Sequence, residues 1–349
     1  LIENQKAWKG LFETIKSSDF YLHPYWHISW WKSFGKGKKM HVIFLLNTEK
    51  VVGIFPLAFY RGSLKEAKLR ILGFSGGTQT DRSNFLLHPD YRNVGVRFFQ
   101  NEFENLLKKV DISFLHSVPQ DSWLFDNDFF KDKIVHSKKY SLPFLNLANL
   151  SFEQLQKTWK ASHRGDIRRQ TRRLEELGEL SLTVYSDKEA VNNLLSKFLD
   201  MHSSRWGYKF DEKYYKILNF YSGLINRFQD EETIHFSALQ LNKIPISYHF
   251  GFVHKNRFLY YKPAYDIEYQ NYSPGKVHIA KLLGLGIQLK WEVFDFLLGD
   301  ESYKRNWVNN TDFSFSYHIK GGGILGKFGI WWFGKGLSFF KTLKSISKK

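Results

Sequence analysis

Asp300, Glu301, Tyr303 and Lys304 bring two carboxylates, a phenol and an amine into five residues, directly after the apolar run Val293-Phe294-Asp295-Phe296-Leu297-Leu298. The carboxyl end of a strand in an open α/β sheet is where ligands sit. Tyr303 can give a proton to a leaving group, and Asp300 can take one from an amine. The same letters also fit a turn in which Asp300 caps the next helix. A second feature is Tyr272-Ser273-Pro274-Gly275-Lys276. There Pro274 fixes a first helical turn, Gly275 lets a ligand approach the backbone, and the first N–H groups of the helix lack partners. This is an anion site suited to a pyrophosphate, with Lys276 adding charge. An ordinary helix start with Ser273 as its cap reads the same way.

Arg164, Arg168 and Arg172 recur at the spacing of one helical face, with Arg169 and Arg173 beside it and Glu175, Glu176 and Glu179 following. A guanidinium stripe of this kind suits phosphates or an anionic surface, and a solvated helix with local ion pairs is the alternative. His202, followed by Arg205-Trp206, ends a helical pattern. It is a candidate base, although helix C-termini also attract His and Arg through the helix dipole.

The elements that must hold these groups follow from periodicity and turn residues. Helices are expected over 5–17, 96–109, 162–177, 188–203, 213–228 and 275–289. Another begins at Ser151, where Ser151 and Gln154 have capping-box spacing. Strands are expected over 41–46, 51–57, 69–74, 112–115, 180–185, 233–241, 244–253, 256–263 and 293–298, with turns at Asn242-Lys243 and His254-Lys255. Ser75-Gly76-Gly77-Thr78-Gln79-Thr80-Asp81 reads as a loop. The same order of helices, meander, helix and strand occurs twice, so the chain reads as a weak internal repeat. The expected boundaries are 1–150, 151–320 and a tail, 321–349.

Composition narrows the chemistry. There is no cysteine, which excludes disulfides, thiolate metal sites and cysteine nucleophiles in this chain. The histidines form no metal-ligand pair such as H-E-x-x-H, and no P-loop, G-x-S-x-G or dinucleotide fingerprint occurs, so no metal is expected. A net charge of +17 favours anionic partners. Aromatics at 18% point to aromatic-lined clefts or a greasy surface. No apolar run approaches the ~18 residues of a spanning helix. The first residues carry neither a signal-peptide core nor an initiator Met, which leaves room for residues upstream. The tail holds Trp331-Trp332-Phe333, Phe339-Phe340 and six lysines with no acid, behind a Gly321-Gly322-Gly323 hinge. It suits an anionic membrane surface, and a frayed terminus is the alternative.

Read together, these pieces resemble the GNAT-type N-acyltransferases of the CelD-like, FemAB-related group. The resemblance is strongest over ~150–310. It rests on Arg164-x-Asp166-Ile167-Arg168-Arg169, His202 with Arg205-Trp206, Ile244-Pro245-Ile246, Tyr260-Tyr261 and Ala264-Tyr265-Asp266-x-x-Tyr269. Further on it includes Tyr272-Ser273-Pro274-Gly275, Phe294-Asp295-Phe296 and Gly299-Asp300-Glu301-x-Tyr303-Lys304-x-x-Trp307. In the first half Trp30-Trp31-x-x-Phe34, Phe55-Pro56-Leu57, Arg70-x-Leu72-Gly73 and Asp81 are similar to the family's first unit. The pyrophosphate signature of GNAT proteins is replaced by Ser273-Pro274-Gly275.

The resemblance implies an α/β (α+β) fold of two tandem GNAT-like units, each a mixed, mostly antiparallel twisted sheet flanked by helices. The donor site lies in the second unit and none in the first. It implies an acyl-CoA co-substrate and an amine acceptor, with relatives in exopolysaccharide, envelope and lipid pathways. Tyr260, Tyr261, Tyr265, Tyr272, Ser273, Gly275 and Lys276 would then line the coenzyme, and Arg164, Arg168, Arg205 and Lys304 would meet phosphate or substrate. Tyr303 is the candidate acid for the thiolate, with Asp300 or His202 as base. Oxyanion donors are expected on the backbone of Leu259-Tyr260-Tyr261-Lys262, where that strand parts from 293–298. The expected activity is acyl transfer to an envelope polysaccharide precursor or a lipid, in the cytoplasm and peripheral on the inner membrane. A Fem-like aminoacyl-tRNA-dependent transferase and a non-catalytic partner in a polysaccharide synthesis complex are the alternatives. Nucleic acid is otherwise not expected as a partner.

Overall fold

The computed structural model describes residues 4–64, 67–125, 128–206, 211–228 and 232–323, apart from the side chains of residues 63, 64, 67, 205 and 206. Two compact units result, Leu1–Tyr140 with Phe313–Lys349, and Ser141–Asp312.

The first unit opens with helices α1 (Gln5–Thr14) and α2 (Pro24–Phe34). The aromatic cluster around Trp26 and Trp30 lies on α2, and both indoles are buried, so this cluster is core rather than a greasy surface. Strands β1 (Lys39–Asn47), β2 (Lys50–Leu64) and β3 (Ala67–Phe74) form an antiparallel meander. After the short β4 (Leu86–Leu87) and helix α3 (Arg92–Leu107), β5 (Ile112–Pro119) pairs in parallel with β3. Phe55, Phe99 and Phe103 fill the space between sheet and α3.

Strand β6 (Ile134–Asn146) carries the chain into the second unit. The capping box at Ser151 forms as expected: its hydroxyl accepts from the Gln154 amide, and the Gln154 side chain accepts from the Ser151 amide. It opens α4 (Phe152–Thr158), followed by α5 (Ala161–Glu175), β7 (Leu180–Tyr185), α6 (Lys188–Trp206) and α7 (Glu212–Arg227). Strands β8 (Ile234–Leu241), β9 (Ile244–His254) and β10 (Arg257–Tyr265) form an antiparallel meander. Asn242 and Lys243 both take positive φ, as a type I′ hairpin turn requires. Helix α8 (Pro274–Gln288) crosses back, and β11 (Val293–Asp295) pairs in parallel with β10 and antiparallel with β6.

The last strand, β12 (Asn310–Lys320), pairs antiparallel with β5, so Phe313–Lys320 belongs to the first unit rather than the second. Both units thus share one order: meander, helix, then a strand parallel to the last of the meander. The three glycines after β12 are not a free hinge. Their N–H groups donate to the carbonyls of Asp111, Leu107 and Val110. Residues 324–349, the rest of the tail, lie outside the described residues. Among the described residues no helix is long and apolar enough to cross a membrane.

Candidate active site

The second unit is organised around a parting of strands. β10 and β11 are in register only over Arg257–Leu259 and Val293–Asp295. Beyond that point β10 runs on to Tyr265 beside β9, while the chain after Asp295 turns away through Leu297 at φ 58°. Asp295 sets this turn. It is fully buried, accepts from the Arg257 guanidinium at 2.7 Å, and accepts from the Leu297 amide at 2.8 Å.

At the same place β10 bulges. Leu259 faces Phe252 and Lys262 faces Phe250, so Tyr260 and Tyr261 together oppose Gly251. A bulge sets two residues against one and re-aims the backbone. Gly251 is required by the crowding, because an added Cβ would lie inside 3.0 Å of the Leu259 carbonyl and the His249 ring. His249 in turn stacks on Tyr260 at 4.4 Å.

Helix α8 begins beyond the end of β10. Ser273 adopts the left-handed conformation and its side chain makes no cap hydrogen bond, so the ordinary-cap reading is not realised. Over Gly275 a Cβ would make only an ordinary contact, 3.5 Å from the Tyr265 ring.

Helix α5 brackets the two separated motifs. From its middle, Asp166 pairs with Lys276 of α8, and this hydrogen-bonded ammonium holds the Asp166 carboxyl below its usual range. From its end, Arg173 donates to the Asn271 carbonyl at 2.9 Å and lies 4.6 Å over the Tyr272 ring. From its start, buried His163 packs edge-on against Trp307 at 4.6 Å. Burial lowers the His163 pKa, and nearby Lys276 lowers it further. The start of α8 and the 303–307 turn are therefore both fastened to one helix.

Residues 161–305 match the acetyltransferase (GNAT) domain family. Over those residues the chain carries a GNAT-type domain. Its fold is similar to that of FemX, at 11% identity and a TM-score of 0.57, with 91% of this chain and 94% of that chain covered. A candidate lysylphosphatidylglycerol synthetase C-terminal domain from Agrobacterium fabrum gives 10% and 0.54, covering 93% and 94%. A tandem GNAT protein from the clavulanic acid biosynthesis pathway, solved without acetyl-CoA, gives 10% and 0.50, covering 92% and 96%. At these identities the likeness shows the fold alone, two GNAT-like units in tandem. No curated protein matches the chain in sequence. Its reaction class is N-acyl transfer.

Within the GNAT domain the expected site residues divide. Tyr272, Ser273, Gly275 and Lys276 do gather at the start of α8, with Tyr265 against them. Tyr260 and Tyr261 mark the bulge, but their rings are buried. Tyr260 sits in the core with Phe294 and Phe296, and Tyr261 packs against Tyr221 and Phe252.

The arginine stripe does not form. Arg164 turns inward to the carbonyls of Gln156 and Trp159, Arg172 faces Glu176, and Arg168 stays exposed. Lys304 is buried, donating to the Leu298 carbonyl at 2.9 Å and pairing with Glu301, so it holds the turn and is not offered to phosphate. Lys276 is committed to Asp166 rather than open to an anion. Asp300 is exposed beside Arg305 at 3.5 Å, whereas Tyr303 is half-buried against the α4–α5–α8 core. His202 is half-buried on α6, near Phe198, and α6 packs on β10. The Arg205 side chain lies outside the described residues.

Reasoning from sequence missed Gly251, and it quoted Asp295 and Arg173 without their roles in turning β11 and fastening the start of α8. A glycine inside a strand pattern was the available signal for the first.

In the first unit the corresponding gap is bridged by the chain that follows β3. β3 and β5 part after Gly73 and Phe114, but Ser83 donates its amide to the Ser117 carbonyl at 2.9 Å, and β4 continues the line of β3 along β2. Among the described residues no group of three His, Asp or Glu side chains is arranged to hold a metal ion.

Proposed function

We propose that this chain is an acyl-CoA-dependent N-acyltransferase whose donor site is in the second unit. The acceptor is an amine of an envelope polysaccharide precursor or a lipid at the cytoplasmic membrane face. The observation that carries the donor assignment is the parting of β10 from β11 at a bulge, on the strand that leads to the N-terminus of α8. The bulge re-aims the β10 backbone at Tyr260 and Tyr261, where a thioester carbonyl would become an oxyanion. At the start of α8 Pro274 has no N–H and the Lys276 and Val277 amides donate to the Ser273 carbonyl, so the Gly275 amide and the helix dipole are what would meet the coenzyme diphosphate.

An amine must be neutral to attack a thioester. In this reading His202, half-buried on the helix over β10, takes its proton, and Asp300 is the second candidate. Attack gives a tetrahedral oxyanion, and its collapse expels the coenzyme thiolate, which Tyr303 protonates. No covalent enzyme intermediate is needed. The exposed Arg168 on α5 is the remaining candidate phosphate contact, together with Arg205. The bridged gap of the first unit supports a single donor site per chain. The +17 charge and the tail 321–349 support an anionic membrane surface as the place of action.

Isothermal titration of the full chain with acetyl-CoA and palmitoyl-CoA tests the reading. One coenzyme per chain is expected. No heat with either at about millimolar coenzyme refutes it, and two sites per chain refute the single donor site. Salt-sensitive tRNA binding in place of coenzyme binding would move the assignment to aminoacyl transfer.

A further inference from the structure

The donor helix is held to the sheet by a buried polar relay that the apolar packing around it does not need. His278, one turn after Gly275, is 1% exposed. Its Nε2 lies 3.0 Å from Ser237 Oγ on β8, and its Nδ1 lies 3.0 Å from Ser247 Oγ on β9. Ser247 Oγ also lies 2.8 Å from the Ala264 carbonyl on β10, to which it donates.

These three contacts fix every proton. Ser247 has one hydroxyl hydrogen, and the Ala264 carbonyl can only accept. Ser247 must therefore accept from His278 Nδ1–H. The ring is neutral, since burial lowers its pKa to about 3, so Nε2 carries a lone pair and accepts from the Ser237 hydroxyl. The relay runs in one direction, Ser237 to His278 to Ser247 to Ala264, with every donor used.

We propose that His278 is a positioning residue for acyl transfer: through Ser237, Ser247 and Ala264 it fixes the register of the first turn of α8 against the end of β10. The other buried residues of α8, such as Val277, Ile279, Leu282 and Leu283, are aliphatic and fix no direction along the sheet. A fully satisfied polar network does. Its terminus is well placed. Ser247 stands opposite Tyr265, and the Tyr265 ring is the neighbour of Gly275. One relay thus spans the strand that carries the bulge and the helix start that would take the diphosphate. The inference rests on the donor reading above.

The test uses the full chain and three variants, His278→Leu, Ser237→Ala and Ser247→Ala, with coenzyme A and acetyl-CoA as probes. Hydrogen exchange is read over residues 274–280 and over the second half of α8. In His278→Leu the first-turn amides should exchange faster while the second half of α8 is unchanged. Coenzyme Kd and donor KM should rise about tenfold, with kcat within about threefold. Each serine variant should give a smaller change in the same direction, and His278→Gln, which keeps one donor and one acceptor, should restore part of the affinity. Wild-type protein that binds no coenzyme sinks the donor reading. Wild type that binds, with His278→Leu binding equally well, overturns the relay. So does faster exchange spread evenly along α8.

Discussion

Gly251→Ala isolates the bulge from the rest of the site. In the wild type the backbone of Gly251 faces both Tyr260 and Tyr261, and the Leu259 carbonyl and His249 ring crowd the place a methyl group would take. Ordinary contact begins at 3.4 Å, and the methyl would lie inside 3.0 Å of both. The Leu259 neighbour is backbone, which cannot rotate aside. β9 and β10 must separate locally by on the order of 1 Å. His249 would press on the Tyr260 ring stacked against it.

Overpacking of this kind costs about 1–3 kcal/mol of stability. The catalytic cost is larger, because a displacement of ~1 Å at the reacting centre lowers the rate about 10²-fold. Loss of one oxyanion donor alone costs ~10²–10³. The start of α8 is untouched, so donor KM should stay within about threefold. Free-thiol release at saturating acetyl-CoA and acceptor measures kcat, and a thermal melt on the same sample measures the stability loss. A Gly251→Ala protein that is folded at the assay temperature and turns over within twofold of wild type would refute the placing of the oxyanion at the bulge.

Other substitutions and conditions probe separate parts of the argument. Gly165→Ala, on the exposed face of α5 with open space at its Cβ, should raise stability by ~0.5–1 kcal/mol and leave turnover unchanged; a lower melting temperature would contradict the helix assignment there. Tyr303→Phe should lower kcat by about 10²-fold or more with little change in donor Kd if its phenol protonates the thiolate, and an unchanged kcat removes it from the mechanism. Burial lowers the pKa of His27 and His278 to about 3 and of His116, His235 and His318 to about 4, against 6.5 in the unfolded chain. Below pH 6.5 the unfolded state therefore binds more protons, so stability is fully present above that pH and falls as pH drops towards 4. Urea midpoints at pH 7.5, 6 and 5 should decline in that order, and a flat series to pH 5 would mean that these rings are hydrated. Asp295→Asn keeps the acceptor for the Leu297 amide but removes the charge facing Arg257. A loss of about 1–3 kcal/mol is expected by denaturant titration, and none would show that the Arg257 pair is not needed to close the strands.

Periodicity and turn chemistry are local, and where they decide an element the sequence was sufficient. The capping box at Ser151, the Asn242-Lys243 turn and the β8–β9–β10 meander stand where their residues put them, with the second turn at Lys255-Asn256 rather than His254-Lys255. So does β7 over Leu180–Tyr185. Strands β6 and β12 were not legible. Lys138, Lys139 and Asn310 give them polar text, and their identity as strands comes from ladder partners far away in the chain. The strand expected over 293–298 is regular only to Asp295, because that buried carboxylate captures the Leu297 amide and breaks the ladder, while Phe296 and Gly299 still donate to the Pro143 and Ser141 carbonyls.

The order of the motifs pointed to a tandem GNAT fold, and Pro274-Gly275 marked where α8 begins. Which charges remain available was settled only by tertiary contacts. A lysine or arginine in a motif looks alike whether it ends in solvent, on a carbonyl or on a carboxylate. Here Arg164 caps α4, Lys304 is buried on Leu298, and Lys276 is held by Asp166, a residue distant in sequence. Side-chain charge has a long, flexible reach, so its partner is chosen by what the fold brings near. Backbone geometry, such as the bulge facing Gly251, is set by a crowding that exists only once two strands lie side by side.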